Sequence, residues 1–244
     1  MIKILGADYF DCDDIKNTLI DKYKQQLFDA TGNISIVAAS FVANKPYIIR
    51  EPNQDYIERE LQWYLSESLN VYDIPGKVPK IWEQCSDKDG FINSNYGWTT
   101  FSKENYNQFD KVVKELLNNI NSRQGVIIFI RPTMHEDSKK NGMHDFICTY
   151  CYNFKVEENK LYMIVNMRSN DCVFGYDNDW AFADYIFDRM LDELRKKYQD
   201  LEKGVIFWRA DNFHVYPNHF KYLEQYIILT QYKSVSRFIL VTNI

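Results

Sequence analysis

Two cysteines with two residues between them, Cys148 and Cys151, are the first chemically suggestive spacing in this chain of 244 residues. A CxxC can clasp a metal or close as a redox pair. Its surroundings, FICTYCYNFKV, read as extended chain, and in a strand residues three apart face opposite sides of the sheet. No second CxxC and no close histidine pair completes a zinc set, so no metal site is expected. Cys148 is then a lone thiol, either an ordinary buried one or a nucleophile. Glu60, in ELQWYL, is a solvated helix carboxylate or a general acid–base. Arg168 and Ser169, in NMRSND, are a surface pair or an anion clamp. His214, in NFHVYPNHF, is a satisfied half-buried histidine or a ligand contact. Taken singly, none of these residues decides between its two readings.

The elements that must position them can be read from periodicity. Residues 33–41 (NISIVAASF) look like a strand after the Thr31-Gly32 turn. A helix should follow Pro52-Asn53, with Ile57, Leu61, Tyr64 and Leu65 along one face. A second helix is expected over 104–120, with the stripe Phe109, Val112, Val113, Leu116 and Leu117. Strand-like runs occupy 125–131 (GVIIFIR), 146–156, 161–168 and 204–209 (GVIFWR). Residues 179–198 read as a long amphipathic helix carrying Ile186, Met190, Leu191 and Leu194. The mixture implies an α+β fold: a mixed β-sheet with helices mainly on one face. The uncovered face would need a partner subunit. There is no internal repeat and no Pro/Gly/Ser linker, so a single domain over 1–244 is expected.

Composition narrows the function. Hydrophobic residues make up 45%, with 18 Tyr, 16 Phe and 5 Trp, enough for a large core and a pocket for a flat ligand. A net charge of -5 and a pI near 5.5 argue against a broad DNA- or RNA-binding face, while leaving room for a single nucleotide. No apolar run approaches the ~20 residues that span a bilayer. The N-terminus turns acidic too early for a secretory signal. Five cysteines, an odd number, suggest reduced thiols in a cytoplasm.

The order of the motifs is more informative than any one of them. ELQWYL around Glu60, PKIWEQ at 79–84, INSNYGW at 92–98, SRQG at 122–125, Cys148, NMRSND at 166–171, GYDNDW at 175–180 and HVYPNH at 214–219 run collinearly. In that order they resemble the thymidylate synthase superfamily and, within it, the bacteriophage deoxycytidylate 5-hydroxymethyltransferases. The likeness extends from about Thr31 to Phe220, and ASFVANKP, DIPGKVPKIW and INSNYGW are the segments that synthases do not usually share.

The resemblance implies a thymidylate synthase-like fold and a homodimer acting in a cytoplasm, in the host if the source is viral. It also implies a reaction on a pyrimidine nucleoside monophosphate with 5,10-methylenetetrahydrofolate as co-substrate. Cys148 would attack carbon 6 of the ring, as a thiolate promoted by Arg168 or Arg123. Glu60 would relay protons and deliver water. Asp179, in the base-recognition loop, would accept from a cytosine amino group, whereas the family uses Asn for uracil. Arg123 (from the second subunit), Arg168 and Ser169 would bind the 5′-phosphate. His214 and Tyr216 would hold the sugar, Asn170 would orient the pyrimidine, and Asp171 would support base or folate. Trp82 and Tyr96 would be folate-side contacts. The implied product is 5-hydroxymethyl-dCMP; thymidylate synthase, a dUMP or CMP hydroxymethylase and a non-catalytic nucleotide-binding relative are the alternatives. The chain departs from the pattern at Thr149, where synthases have His, at Gln124 for a second Arg, and at Ala30 for the Arg of Arg-Thr-Gly. Lys22, Lys24, Arg131 or another cation would then have to compensate. The tail SRFILVTNI matches weakly.

Overall fold

A computed structural model describes residues 1–229; the tail at 236–244 lies outside them. In chain order the regular elements are β1 (Ile2–Ile4), β2 (Ala7–Tyr9), α1 (Cys12–Lys24), β3 (Ile34–Val42), α2 (Gln54–Leu65), α3 (Lys80–Cys85), α4 (Tyr96–Phe101) and α5 (Gln108–Asn118). There follow β4 (Val126–Ile128), α6 (Met134–Asp137), β5 (Thr149–Glu157), β6 (Lys160–Met167), β7 (Asn170–Asp171), α7 (Gly175–Arg195) and β8 (Glu202–Val215). Residues 220–229 are helical.

The main sheet runs β3-β8-β6-β5-β4, with β7 also paired to β8. It is mixed: β6 and β7 lie parallel to β8, and the remaining neighbours are antiparallel. A parallel pair needs a long crossover, and α7 supplies it between β6 and β8. One face of the sheet, with Tyr152, Phe154, Met163, Val165 and Trp208, is buried in the same core as Phe182, Ile186 and Phe187 of α7. Across the other face Asn153, Ile164 and Asn166 are half-buried, while Lys155, Arg209 and Asp211 are exposed. The α+β expectation and the mixed sheet are therefore found as read.

Several boundaries move. Residues 146–148 precede β5 instead of belonging to it, so Cys148 stands at a strand entrance. GYDNDW forms the first turns of α7, so the helix expected from Asp179 begins at Gly175 and takes in the segment likened to a base-recognition loop. The 204–209 run is the middle of a strand of 14 residues that reaches His214. In α2 the buried residues are Glu60, Trp63 and Tyr64, while Leu65 is 39% exposed. The apolar pattern misplaced that face because a carboxylate sits in it.

Two devices lock α2 to α4. Asn95, fully buried, caps α4 by accepting from Trp98 N (2.8 Å) and donates to the carbonyls of Trp63 (3.0 Å) and Ser68 (2.8 Å). Gly97 lets the two backbones meet, since a Cβ there would stand 1.8 Å from the Tyr64 carbonyl oxygen. Gly97→Ala is accordingly expected to lower stability by ~3 kcal/mol or more, the upper range for overpacking, read as a drop in melting temperature with activity lost in parallel.

Candidate active site

The site forms where the sheet pairing breaks. β6 and β7 follow β8 along one parallel rail, Met167 opposite Ala210 and Asn170 opposite Phe213, with a break between them at Arg168 and Ser169. At that break the Arg168 N–H donates to the Cys148 carbonyl (2.8 Å). The guanidinium turns inward: Nε donates to the Ile147 carbonyl (3.0 Å), and Nη2 to the Phe146 carbonyl (2.6 Å) and to Cys148 Sγ (3.4 Å). Ser169 is half-buried beside it. The adjacent arginine favours a Cys148 thiolate, but burial outweighs it and, with Asp179 and Asp145 adding to the same effect, pushes the thiol up to about 11. Cys151 lies apart, its sulfur accepting from Asn153 (3.3 Å) and Asn166 (3.6 Å), and both cysteines are free thiols.

Glu60 is 3% exposed. One carboxyl oxygen, Oε1, accepts from the Tyr56 hydroxyl and from Trp82 Nε1 (2.9 Å). Desolvation raises it to about 7, although both hydrogen bonds favour the charged form. A carboxyl titrating there can both give and take a proton near neutrality. Trp82, expected on the folate side, therefore touches Glu60 directly. Tyr96 is buried, stacked on Tyr64, and its hydroxyl accepts from Thr149 Oγ1 (3.0 Å), the residue standing where synthases carry His.

Asp179 is half-buried; its Oδ2 accepts from Asn170 Nδ2 (2.7 Å). Burial, reinforced by the charge of Glu60, holds this carboxyl well above the usual range. Asn170 itself is almost fully buried. Asp171 accepts from the backbone N–H groups of Val173 (3.1 Å) and Phe174 (3.2 Å), fixing the turn into α7, and stands 3.6 Å from His219 Nδ1. At the end of β8, His214 is 4% exposed with neither ring nitrogen paired among the described residues. Burial lowers the proton affinity of this imidazole, with Asp171 acting the other way. Tyr216, 43% exposed, packs edge-on to it at 4.6 Å.

Not every expected residue joins the cluster. Arg123 is exposed before β4, and the pairing of Val126 with Asn153 puts it at the far end of β5 from Cys148, roughly 25 Å away by strand rise. Arg131, a candidate substitute cation, is engaged with Asp137 (2.7 Å) and Asn93 (2.8 Å). The turn at Ala30 is organised by Asp29, which accepts from Thr31, Asn33 and Ser35.

A family model described as thymidylate synthase matches residues 47–242. The chain belongs to the thymidylate synthase family. Among similar proteins, the deoxycytidylate 5-hydroxymethyltransferases of Enterobacteria phages T4 and T6 are each 45% identical over 203 residues, 82% of this chain and 82% of theirs. The thymidylate synthase of Francisella philomiragia subsp. philomiragia is 25% identical over 179 residues, 69% of this chain and 64% of that protein.

Within this member of the thymidylate synthase family, sequence reasoning missed four groups. Tyr56 sits one helical turn before Glu60, a spacing that was legible. Asp145, 7% exposed, accepts from Asn93 N and Ser94 N (2.7 Å each) and Ser94 Oγ (2.6 Å), tying the INSNYGW segment to the strand entrance. Arg50 lies 4.0 Å over the Phe174 ring and 3.7 Å from buried Asp177, whose carboxyl desolvation pushes up to about 8. These three came together only through folding, apart from the Tyr56 spacing. Trp208, the fourth, lies in the run GVIFWR, which reads from sequence only as a strand.

Two outcomes are expected. Because burial dominates at Cys148, its alkylation by iodoacetamide should be slow at neutral pH and accelerate as pH rises towards about 11; Arg168→Met should slow it further at every pH, as followed by mass spectrometry. Glu60 and Asp177 are both raised above their ordinary values, so they favour the folded state most below pH ~4 and lose that contribution as pH rises through about 7 and about 8. Melting temperature should therefore climb as pH is lowered from 8.5 to 6, and climb less in Glu60→Gln/Asp177→Asn.

Proposed function

We propose that the protein transfers a one-carbon unit to carbon 5 of dCMP and hydrates it to 5-hydroxymethyl-dCMP. The observation that carries this reading is the convergence of a buried thiol with two carboxyls of raised affinity for protons, Glu60 and Asp179, each influencing the next electrostatically. The 45% identity to enzymes named for that reaction supports it.

Carbon 5 of cytosine is a poor nucleophile within its aromatic ring. Addition of the Cys148 sulfur to carbon 6 breaks the conjugation and gives carbon 5 enamine character. The thiol must lose its proton as it attacks, and Arg168 at 3.4 Å is placed to stabilise the sulfur anion at that moment. Glu60, titrating near neutrality, serves as the group that takes the carbon 5 proton and directs a water, with Tyr56 and Trp82 holding its Oε1. Asp179 accepts from the cytosine amino group; uracil would present an oxygen there instead. His214 and Tyr216 meet the sugar, and Arg168 and Ser169 the phosphate.

5,10-Methylenetetrahydrofolate supplies the one-carbon unit when bound. The side chains present suit such a flat aromatic acid: the partly exposed ring of Trp82, the exposed Phe174 ring under the Arg50 guanidinium, and the Asp171 carboxylate. A second copy of the chain covers the open sheet face in this reading and receives Arg123, which its own subunit leaves far from Cys148. The enzyme then works in a cytoplasm; among the described residues no helix is long and apolar enough to cross a membrane.

Incubation with dCMP, dUMP or CMP and methylenetetrahydrofolate, with products weighed, tests the proposal. A gain of CH2O on dCMP is expected; a gain of CH2 on dUMP, with dihydrofolate formed, would replace it by a synthase. Cys148→Ala should abolish turnover, Glu60→Gln should lower kcat by ~10²–10⁴, the range for general acid–base groups, and Asp179→Asn should shift preference towards dUMP.

A further inference from the structure

Behind Asp179 stands a second layer of the site. Trp208, on β8, is fully buried, and its indole Nε1–H lies 3.1 Å from the side-chain oxygen of Asn170. An indole can only donate. The carboxamide oxygen of Asn170 must therefore face Trp208, and its amino group must face Asp179, where the distance is 2.7 Å. The ring of Tyr176 packs edge-on to the indole at 5.0 Å and holds its plane. Gly175 leaves the space through which the amide reaches the carboxyl, since a Cβ there would stand 3.3 Å from Asn170 Nδ2. Three elements, β8, β7 and α7, thus fix one amide orientation.

We propose that Trp208 is a positioning residue for base choice, acting through Asn170 to hold Asp179 in the arrangement that selects cytosine. The proposal rests on Asp179 being the base reader. With Asp179 Oδ2 committed to accepting from Asn170, a proton on this carboxyl sits on Oδ1, the oxygen without a hydrogen-bond partner among the described residues. Oδ1 can then donate to the unprotonated ring nitrogen of cytosine, which neutral uracil lacks. Without the indole N–H, the amide of Asn170 is free to turn over and offer its oxygen to Oδ2. The carboxyl proton is drawn away to that oxygen, Oδ1 is left as an acceptor only, and the N–H of uracil becomes the better partner.

The test compares kcat/KM for dCMP and dUMP in the full-length enzyme, as wild type, Trp208→Phe, Asn170→Leu, their double variant and Asp179→Asn, each checked for folding by melting temperature. Trp208→Phe, which keeps a ring but no donor, is expected to reduce the dCMP/dUMP ratio about tenfold, the worth of one hydrogen bond. Asn170→Leu should move the ratio the same way, and Trp208→Phe should add nothing in that background. In both single variants the limb of the dCMP pH profile set by Asp179 should move to higher pH, because its N–H donor is gone. Losses that add in the double variant, or an unmoved ratio in Trp208→Phe while Asp179→Asn shifts it, would overturn the relay alone. An unmoved ratio in Asp179→Asn would remove the base reader itself. Should Trp208→Phe not fold, an unmoved ratio in Asn170→Leu overturns the proposal.

Discussion

Taking a carboxylate or thiolate out of water costs several kcal/mol unless hydrogen bonds or opposite charges replace the solvent. In this protein Glu60, Asp179 and Cys148 all experience that penalty, and the cations and donors around them only partly offset it. Everything else in the site follows from it. Glu60, which would be fully ionised in water, is brought to a proton affinity near neutrality, and the Cys148 thiol is pushed towards its uncharged form. The same desolvation that makes the groups reactive also makes them destabilising, so the surrounding fold must hold them by force of packing.

That packing is aromatic. Tyr64 stacks on Tyr96 and meets Phe182 edge-on, Tyr96 meets Phe129, and Phe129 meets Tyr152, a continuous layer beneath the helices. Large rigid rings fill volume with few rotamers to freeze. They also exclude water from the neighbourhood of Glu60 and Asp179. The abundance of Tyr and Phe in the composition is thus tied to the electrostatics of the site as well as to the bulk of the core. Rim residues behave differently: Phe174 and Tyr216 stay partly exposed, one beneath Arg50 and one beside His214, as surfaces left for ligands.

The charge economy of the anion site is lean. Arg168 spends two of its nitrogens on backbone carbonyls at the strand entrance and on Cys148, so much of its donor capacity is already engaged. With Arg123 remote and Arg131 paired to Asp137, one chain brings few free cations to this point.

Sequence order determined the family-like constellation, because chemistry requires particular residue types and the chain carries them collinearly. It also determined β3, β6 and the apolar stripe of α5, where local periodicity and burial agree. Periodicity already set Asp179 at the start of a helix, but it could not extend that helix back to Gly175: GYDNDW has the composition of a turn, and the crossover between parallel strands makes it the start of α7. It misread the buried face of α2, because periodicity sorts by polarity and the fold buries a carboxylate for use. Trp208 was legible only as part of a strand, and Asn170 as a contact to the pyrimidine. Their hydrogen bond exists only because β7 and β8 pair side by side, a distance in sequence that no local pattern spans. Residue identity fixed what the site contains, and tertiary packing, through desolvation and strand register, decided the charge state and direction of each group.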